Sequence, residues 1–207
     1  MARFRDRADA ARQLAARLDD YRGRRPLVLA IPRGGVPLGR VVADALDGDL
    51  DVALVHKIGA PHHPELAIGA VDEHGHVVLD DLAHQLDVPR AAVDAVAARE
   101  VAALRARRVA LGTLAPLDPS GRVVIVVDDG IATGSTARAA VRLARAAHAA
   151  SVIVATPVAP PEAAERLATE ADAVVCVITP PDFAAVGQYY DDFSPVENDE
   201  MFAALHP

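Results

Sequence analysis

The sequence predicts an α/β fold: an open, mostly parallel sheet flanked by helices, with a small β-hairpin or hood subregion. Three observations support this prediction. Apolar runs of strand length alternate with helical patterns along most of the chain, as is typical of βαβ units. The run at 123–127, Val-Val-Ile-Val-Val, has no polar alternation, which indicates a strand buried on both faces. Glycine-containing loops follow several of these runs, at the carboxyl ends of strands, where such sheets bind ligands.

The N-terminal half is predicted from capping residues, apolar runs and turn signals. In chain order we expect a helix capped by Asp6 and ending near Tyr21, a strand at 27–31, a turn at 32–37, a helix at about 38–46 and a strand at 51–55. The segment 57–64 contains Gly59, Pro61 and Pro64, so it is predicted to be a mobile loop. A β-hairpin follows, with strands at 66–71 and 76–79 and a turn at 72–75.

The second half continues the alternation of strands and helices. The predicted elements are a long helix from 89 to about 111, a link at 114–122, the strand 123–127, a helix starting near Thr136, strands at 151–158 and 173–178, and a helix at 161–168. We expect one domain over 1–207, with a core at about 24–180 and a C-terminal capping or hood segment at about 181–207.

Composition and charge exclude several classes of protein. The chain has 207 residues and a net charge of −8, which argues against a nucleic-acid partner. The single cysteine, Cys176, excludes an intramolecular disulfide framework and suits a reducing cytoplasm. The arginine- and aspartate-containing N-terminus lacks the apolar core of a signal peptide, and no apolar run is long enough to cross a membrane. We therefore expect a cytoplasmic protein, with a homodimer as one open outcome.

The stretch 123–136 is the most informative part of the sequence. Asp128 and Asp129 follow the apolar run, and a short Gly/Thr/Ser loop then opens a helix near Thr136. Small residues let backbone N–H groups approach an anion, and the helix start adds unpaired donors and the positive end of its dipole. Adjacent carboxylates would repel a bare phosphate, so we expect them to hold ribose hydroxyls or hydrated Mg²⁺. The pattern predicts a sugar-phosphate site.

The segment Asp128–Thr136 closely resembles the phosphoribosyl diphosphate (PRPP) binding motif of type I phosphoribosyltransferases. The resemblance implies that Asp128 and Asp129 bind the ribose 2′- and 3′-hydroxyls. It also implies a Mg²⁺ cofactor bound through PRPP, with the same two carboxylates as candidate ligands. The residues implied to cradle the 5′-phosphate are Ala132, Thr133, Gly134, Ser135 and Thr136. Many family members have Thr or Ser at the place of Ala132, so here the backbone N–H must serve.

Two further segments resemble the family's pyrophosphate-binding parts. Gly34 and Gly35 follow the first strand, where the absence of Cβ atoms lets backbone amides face an anion, and Arg33 adds a cation with paired donors. The resemblance suggests a cis or strained non-proline peptide in this loop. Lys57 follows the second predicted strand and is the best candidate to neutralise the leaving group. Arg33, Lys57, Asp128 and Asp129 are thus the predicted catalytic residues.

The C-terminal segment concentrates the aromatic side chains of a chain with few of them. In phosphoribosyltransferases the acceptor often stacks on an aromatic ring, so Phe183, Tyr189 and Tyr190 are the predicted acceptor-binding residues; simple packing of the tail is the equal alternative. The ending at 182–193 also resembles that of a bacterial subgroup of uncharacterised phosphoribosyltransferase-like proteins, which matches nearly end to end and whose acceptor is unknown. The subgroup therefore does not identify the acceptor.

The resemblance implies transfer of 5-phosphoribose from PRPP to a nitrogenous, nucleobase-like acceptor, with release of pyrophosphate. The partners are then PRPP and a small-molecule acceptor, with no nucleic acid or membrane. Two alternatives stay open: a regulatory module that senses PRPP or a nucleotide without transfer, and an enzyme that hydrolyses or transfers another phosphorylated sugar.

Overall fold

A five-stranded parallel sheet forms the centre of the structure, a computed structural model that describes residues 3–61, 63–112 and 115–206. Its strands are β1 (Leu27–Ala30), β2 (Asp49–Val52), β6 (Val123–Val127), β7 (Ser151–Val158) and β8 (Ala173–Ile178). Their order across the sheet is β2-β1-β6-β7-β8, and each neighbouring pair is parallel. The predicted parallel α/β sheet is confirmed.

Helices cover both faces of this sheet. They are α1 (Arg7–Ala16), α2 (Gly35–Leu46), α5 (Ser135–Ala146) and α6 (Pro161–Ala168). Ile125 and Val127 of β6 pack with α1 and α2, whereas Val124 and Val126 pack with α5 and α6. Both faces of β6 are therefore buried in apolar side chains, which explains the absence of polar alternation in its sequence.

A second, antiparallel sheet lies beside the first. It comprises β3 (Val55–Ala60), β4 (His63–Asp72) and β5 (Val77–Leu79), in the order β3-β4-β5. Ile58 and Ile68 of this sheet pack against Val93 and Ala97 of the long helix α4 (Arg90–Ala110). The short helix α3 (Asp81–Gln85) connects β5 toward α4. This small sheet contains the predicted β-hairpin, formed by β4 and β5.

The prediction of a mobile loop at 57–64 is wrong for residues 57–60 and 63–64, which lie in strands, whereas Pro61 lies in a turn and His62 lies outside the described residues. Lys57 to Ala60 belong to β3, which pairs with β4 through a register that shifts at Ile58–Gly59 and Gly59–Ala60. Pairing with the long strand β4 provides hydrogen-bond partners for the backbone of this segment, although the segment contains a glycine. The predicted strand 51–55 is likewise two elements, because β2 ends at Val52 and β3 begins at Val55.

A buried ionic cluster connects α4 to both sheets. The Arg108 guanidinium pairs with Asp51 of β2 at 2.8 Å and with Glu73, which follows β4. All three side chains are buried, at 5–7% exposure. Because a charge buried without a partner is costly, this cluster favours one arrangement of α4 against the two sheets.

The N-terminal residues pair with the segment that follows the last strand. Phe4 pairs with Tyr190 in a parallel bridge, and Asp191 N–H donates to the Phe4 carbonyl at 2.8 Å. Two predictions about these ends need correction. The first helix ends at Ala16, with a separate 3₁₀ turn at Asp19–Tyr21. The C-terminal segment at 181–207, for which the sequence predicts no helix, contains α7 (Asn198–Leu205), which packs toward α2 through Met201.

Candidate phosphoribose site

The carboxyl ends of β1 and β6 bring the two glycine-containing loops together. The strands are adjacent and in parallel register, with Ala30 opposite Val127. A Cβ atom on Gly35 would lie 2.7 Å from the Val127 carbonyl oxygen, and one on Gly34 would lie 1.8 Å from Oδ2 of Asp129. Only glycine fits this close approach. The predicted pyrophosphate loop and the Asp128–Asp129 pair are therefore in direct contact.

The loop after β6 turns sharply into the start of α5. Gly134 adopts a left-handed conformation, φ +77°, immediately before α5 begins at Ser135. The hydroxyls of Thr133 and Ser135 lie 3.2 Å apart, and Ala132 and Thr133 are exposed. Thr136 follows in the first turn of the helix, where backbone N–H groups lack acceptors within the helix. The five predicted phosphate-binding residues thus line the start of one helix, with donors available to an anion.

The two adjacent carboxylates have different surroundings. Asp129 is buried, and its Oδ2 accepts a hydrogen bond from Nε of Arg7 at 2.8 Å. Asp128 is partly exposed, and its Oδ1 accepts from the Asp129 backbone N–H at 2.9 Å. Desolvation and the nearby Asp129 charge raise the pKa of Asp128 well above its ordinary value, and Arg7 opposes this shift. Their role in binding ribose or Mg²⁺ stays a prediction.

Arg7 is the residue of this site that sequence reasoning missed. It lies 122 positions before its partner Asp129 and begins a helix predicted only from its cap and apolar spacing. No local pattern in the sequence signals a pairing over such a separation. The contact arises because α1 packs on the same face of the sheet as α2, beside the end of β6.

Lys57 reaches the phosphate loop from the small sheet. Its Nζ donates to Oγ of Ser135 at 2.8 Å, although the two residues belong to β3 and α5. Lys57 is also the only lysine of the sequence. The sequence predicts that it neutralises the pyrophosphate; in the structure its described contact is with the loop predicted to hold the 5′-phosphate.

Arg33 belongs to the predicted pyrophosphate loop, directly before Gly34. The Pro32–Arg33 peptide bond is cis, as the resemblance suggests. The Arg33 side chain is exposed and lines a cavity of about 350 Å³ together with Arg107, Asn198 and Phe202, from α4 and α7. The structure therefore brings Gly34, Gly35, Asp128 and Asp129 together in one place, with Lys57 at the phosphate loop and Arg33 facing this neighbouring cavity.

The predicted acceptor-binding aromatics are engaged in packing. Tyr189 and Tyr190 are 2% and 4% exposed, and the half-buried Phe183 ring stacks on Tyr189 with centroids 5.7 Å apart. Tyr190 OH donates to the Asp129 carbonyl oxygen at 2.5 Å. Burial and the Asp129 carboxylate raise the pKa of Tyr190, so its hydroxyl stays protonated as a donor. The Tyr190 hydroxyl thus binds the backbone of Asp129. Stacking of the three aromatic rings on an acceptor stays a prediction.

Comparison with known proteins shows the class to which this fold and site belong. The family profile for the phosphoribosyl transferase domain matches residues 63–194. The chain belongs to the phosphoribosyltransferase family. The matched range contains the Asp128–Thr136 loop and the acceptor-binding candidates, whereas Arg33, Gly34, Gly35 and Lys57 precede it.

Relatives of high similarity agree with this membership. Two proteins from Mycobacterium tuberculosis, of strains H37Rv and CDC 1551, are each 46% identical over 99% of the chain and are provisionally named phosphoribosyl transferases. The chain spans only 47% of their length. The crystal structure of TT1426 from Thermus thermophilus is similar with a TM-score of 0.89 and 44% identity, covering 98% of this chain and 97% of that one.

Membrane spans and clustered metal ligands are both absent from the described ranges. None of the helices there is long and apolar enough to span a bilayer. Among the same residues, no three His, Cys, Asp or Glu side chains are grouped closely enough to hold a metal ion by themselves.

Proposed function

We propose that the protein transfers the 5-phosphoribosyl group of PRPP to a nitrogen atom of a small, nucleobase-like acceptor and releases pyrophosphate. The observation that carries the proposal is the contact between the two loops: Asp129 lies against Gly34, and the loop after Asp129 leads into the start of α5, where the first backbone N–H groups have no acceptor within the helix. Anion-binding backbone on two sides of a carboxylate pair suits a ligand with phosphates at both ends and hydroxyls between them.

Each part of PRPP has a matching chemical group in this arrangement. The backbone N–H groups and hydroxyls from Ala132 to Thr136 would bind the 5′-phosphate. Lys57, whose Nζ donates to the Ser135 hydroxyl, would add a positive charge beside that phosphate. Asp128 and Asp129 would accept hydrogen bonds from the ribose hydroxyls. The Gly34 and Gly35 amides would face the pyrophosphate, with Arg33 as the cation nearest to them in sequence.

In the transfer, the bond from ribose C1 to the pyrophosphate oxygen breaks and a bond from C1 to the acceptor nitrogen forms. The electron pair of the broken bond leaves with pyrophosphate, and the proton of the acceptor nitrogen passes to the released pyrophosphate or to water. Donors already oriented toward the departing oxygen would stabilise its growing charge, because they need no reorganisation during the reaction. C1 would pass through a state with oxocarbenium character, next to the Asp128–Asp129 pair.

The residues fit a Mg²⁺ ion that is shared with the substrate. Mg²⁺ prefers oxygen ligands and is usually held by one or two carboxylates together with substrate phosphates and water. Asp128, partly exposed at the end of β6, is the carboxylate best placed for this role, since Asp129 is buried against Arg7. When bound, the ion would neutralise negative charge on the pyrophosphate.

The proposal is tested in two steps with the purified protein. Calorimetry with PRPP and Mg²⁺ measures binding, and pyrophosphate release is then measured with a panel of purine and pyrimidine bases. Binding together with base-dependent release supports the transferase. Binding without release with any base favours a PRPP-sensing module, and failure to bind PRPP favours another phosphorylated sugar.

A further inference from the structure

The ion pair between Arg7 and Asp129 connects the N-terminal helix to the centre of the candidate PRPP site. Arg7 Nε lies 2.8 Å from Oδ2 of Asp129, and the two side chains are only 15% and 13% exposed. By contrast, Arg5 and Arg12 on the same segment pair with Asp9 at 3.3 and 3.9 Å, and these arginines are 73% and 57% exposed. A partly buried, charge-assisted hydrogen bond constrains geometry far more than exposed pairs do.

The same carboxylate oxygen is also confined on its other side. The Cβ position of Gly34 lies 1.8 Å from Oδ2 and 2.3 Å from Cγ of Asp129. Oδ2 is thus held between a cation from α1 and the bare backbone of the pyrophosphate loop. The orientation of Asp129 therefore depends on a residue outside the matched family domain, which begins at 63.

Arg7 is in turn fixed by the C-terminal segment. Its Nη1 donates to the Ser194 carbonyl oxygen at 2.6 Å, and its guanidinium lies 4.1 Å from the centroid of the Phe193 ring. Tyr190 donates to the Asp129 carbonyl oxygen from the same segment. The segment 190–194 therefore contacts both members of the ion pair, and cation–π stacking favours a flat guanidinium over an ammonium at this place.

Two neighbouring carboxylates repel each other, and burial increases the cost of keeping both charged. An arginine that neutralises one of them reduces this cost and lets the pair keep one fixed geometry. Removing that arginine would leave Asp129 as an uncompensated buried charge, which favours rotation of the carboxylate toward solvent. Such a rotation would move the group that the proposed function assigns to the ribose hydroxyls.

We propose that Arg7 is a positioning residue for PRPP binding. Through its hydrogen bond to Oδ2 it orients the Asp129 carboxylate toward the ribose, and its contacts with Phe193 and Ser194 make that orientation depend on the docked C-terminal segment. The inference rests on the proposed function, because it concerns the same PRPP site. It adds a residue that touches no substrate and acts through Asp129.

The test compares PRPP binding and turnover in Arg7→Gln, Arg7→Lys, Asp129→Asn and the double variant Arg7→Gln/Asp129→Asn. Arg12→Gln is the matched control, since it removes an exposed arginine from the same helix. Loss of the oriented carboxylate in Arg7→Gln is expected to raise Kd and KM for PRPP at least about tenfold, equivalent to about 1.4 kcal/mol, with a smaller change in kcat. Arg7→Lys restores part of the affinity, because it keeps the charge.

The double variant separates positioning from general stabilisation. If Arg7 acts through Asp129, Arg7→Gln in the Asp129→Asn background changes Kd by less than about twofold. Independent, additive losses would overturn the inference, as would an Arg7→Gln protein that binds PRPP as tightly as Arg12→Gln. Should Arg7→Gln fail to fold, Phe193→Leu provides the test: it removes the stacking ring but keeps the charge, and a smaller rise in Kd is expected.

The wild-type measurement distinguishes the two proposals. A wild-type protein that does not bind PRPP with Mg²⁺ overturns the proposed function and the inference together. Wild-type binding with an unchanged Arg7→Gln variant overturns the inference alone. Wild-type binding together with a weakened Arg7→Gln, rescue by Arg7→Lys and non-additivity with Asp129→Asn supports the inference. The proposed transfer is supported only when the wild-type protein also releases pyrophosphate in a base-dependent way.

Discussion

The substitution Gly34→Ala tests the contact between the pyrophosphate loop and the acidic pair with one methyl group. The new Cβ would lie 1.8 Å from Oδ2 of Asp129, where real contacts are essentially never below 3.0 Å. The carboxylate must therefore move by about 1.2 Å or more to accommodate the methyl group. Gly34 has φ −60° and ψ −31°, a conformation that alanine adopts readily, so backbone strain contributes nothing to the effect.

The expected magnitude follows from the hydrogen bond that this displacement disturbs. The Arg7–Asp129 bond at 2.8 Å involves two charged groups, and such bonds contribute about 1.5–3 kcal/mol each. If that energy supports the geometry needed for PRPP, affinity falls by roughly 10- to 150-fold. Thermal stability should fall less than a core defect would cause, since alanine lowers the entropy of the unfolded chain.

Calorimetric titration with PRPP and Mg²⁺ measures the affinity, and thermal unfolding measures the stability. Gly39→Ala is the matched control: Gly39 lies in α2, the helix that Gly34 precedes as its N-cap, and its Cβ would approach Ala30 at 2.9 Å and Leu50 at 3.0 Å without contacting Asp129. We expect Gly39→Ala to lose stability and keep PRPP affinity. Wild-type affinity in Gly34→Ala would contradict this expectation, as would a loss of affinity in proportion to stability in both variants.

Three further predictions concern other parts of the molecule. Arg108→Met leaves Asp51 and Glu73 buried without their cation, so it should lower the free energy of unfolding by about 3–5 kcal/mol. The control Arg107→Met, at an exposed position, should change it little, and equal denaturation midpoints for the two variants would contradict this. PRPP with Mg²⁺ should slow acylation of Lys57, the only lysine of the sequence, relative to the N-terminal amine, as measured by peptide mass spectrometry. Equal labelling with and without PRPP would contradict the proposal that Lys57 lies beside the bound 5′-phosphate. Burial raises the pKa of the Cys176 thiol from 9.0 to about 11, so the native thiol should react slowly with iodoacetamide at pH 8 and faster in urea, and equal rates would show that the thiol is not protected. The contribution of the neutral thiol to the stability of the folded state is present below pH 9 and is lost as the pH rises toward 11.

The central fold can be predicted because its signals are local. The unbroken apolar run at 123–127 and the glycine loops after β1 and β6 fix a buried strand and its ligand-facing end from the residues alone. For the small antiparallel sheet, the sequence predicts a hairpin but misses β3. The segment from Lys57 to Ala60 has neither apolar alternation nor β-branched residues beyond Ile58, and its strand conformation depends on pairing with β4.

The candidate site divides in the same way. The loop residues from Asp128 to Thr136 form a continuous motif, so their grouping follows from sequence order, and the glycine pair after β1 meets them because adjacent parallel strands end together. The Arg7–Asp129 pair and the Lys57–Ser135 hydrogen bond join residues 122 and 78 positions apart. Such contacts depend on how α1 and the small sheet pack against the core, which no local pattern specifies.

The role of the aromatic side chains in the C-terminal segment does not follow from their number in the sequence. The concentration of aromatic residues at 183–193 is real, yet Tyr189 and Tyr190 are buried among neighbouring rings, and Phe193 lies under the Arg7 guanidinium. An aromatic ring provides packing area and a stacking surface equally well, so composition alone could not separate the two uses.

The most direct test of the proposed PRPP chemistry is pyrophosphate release from PRPP and Mg²⁺ by the wild-type protein and by Asp128→Asn/Asp129→Asn, measured in parallel with a panel of bases. Both substitutions keep the size of the side chains, and thermal unfolding checks that the fold is retained. We expect base-dependent release by the wild type and no release above background by the folded double variant. Equal release by both proteins would contradict it, because the acidic pair would then have no part in PRPP turnover.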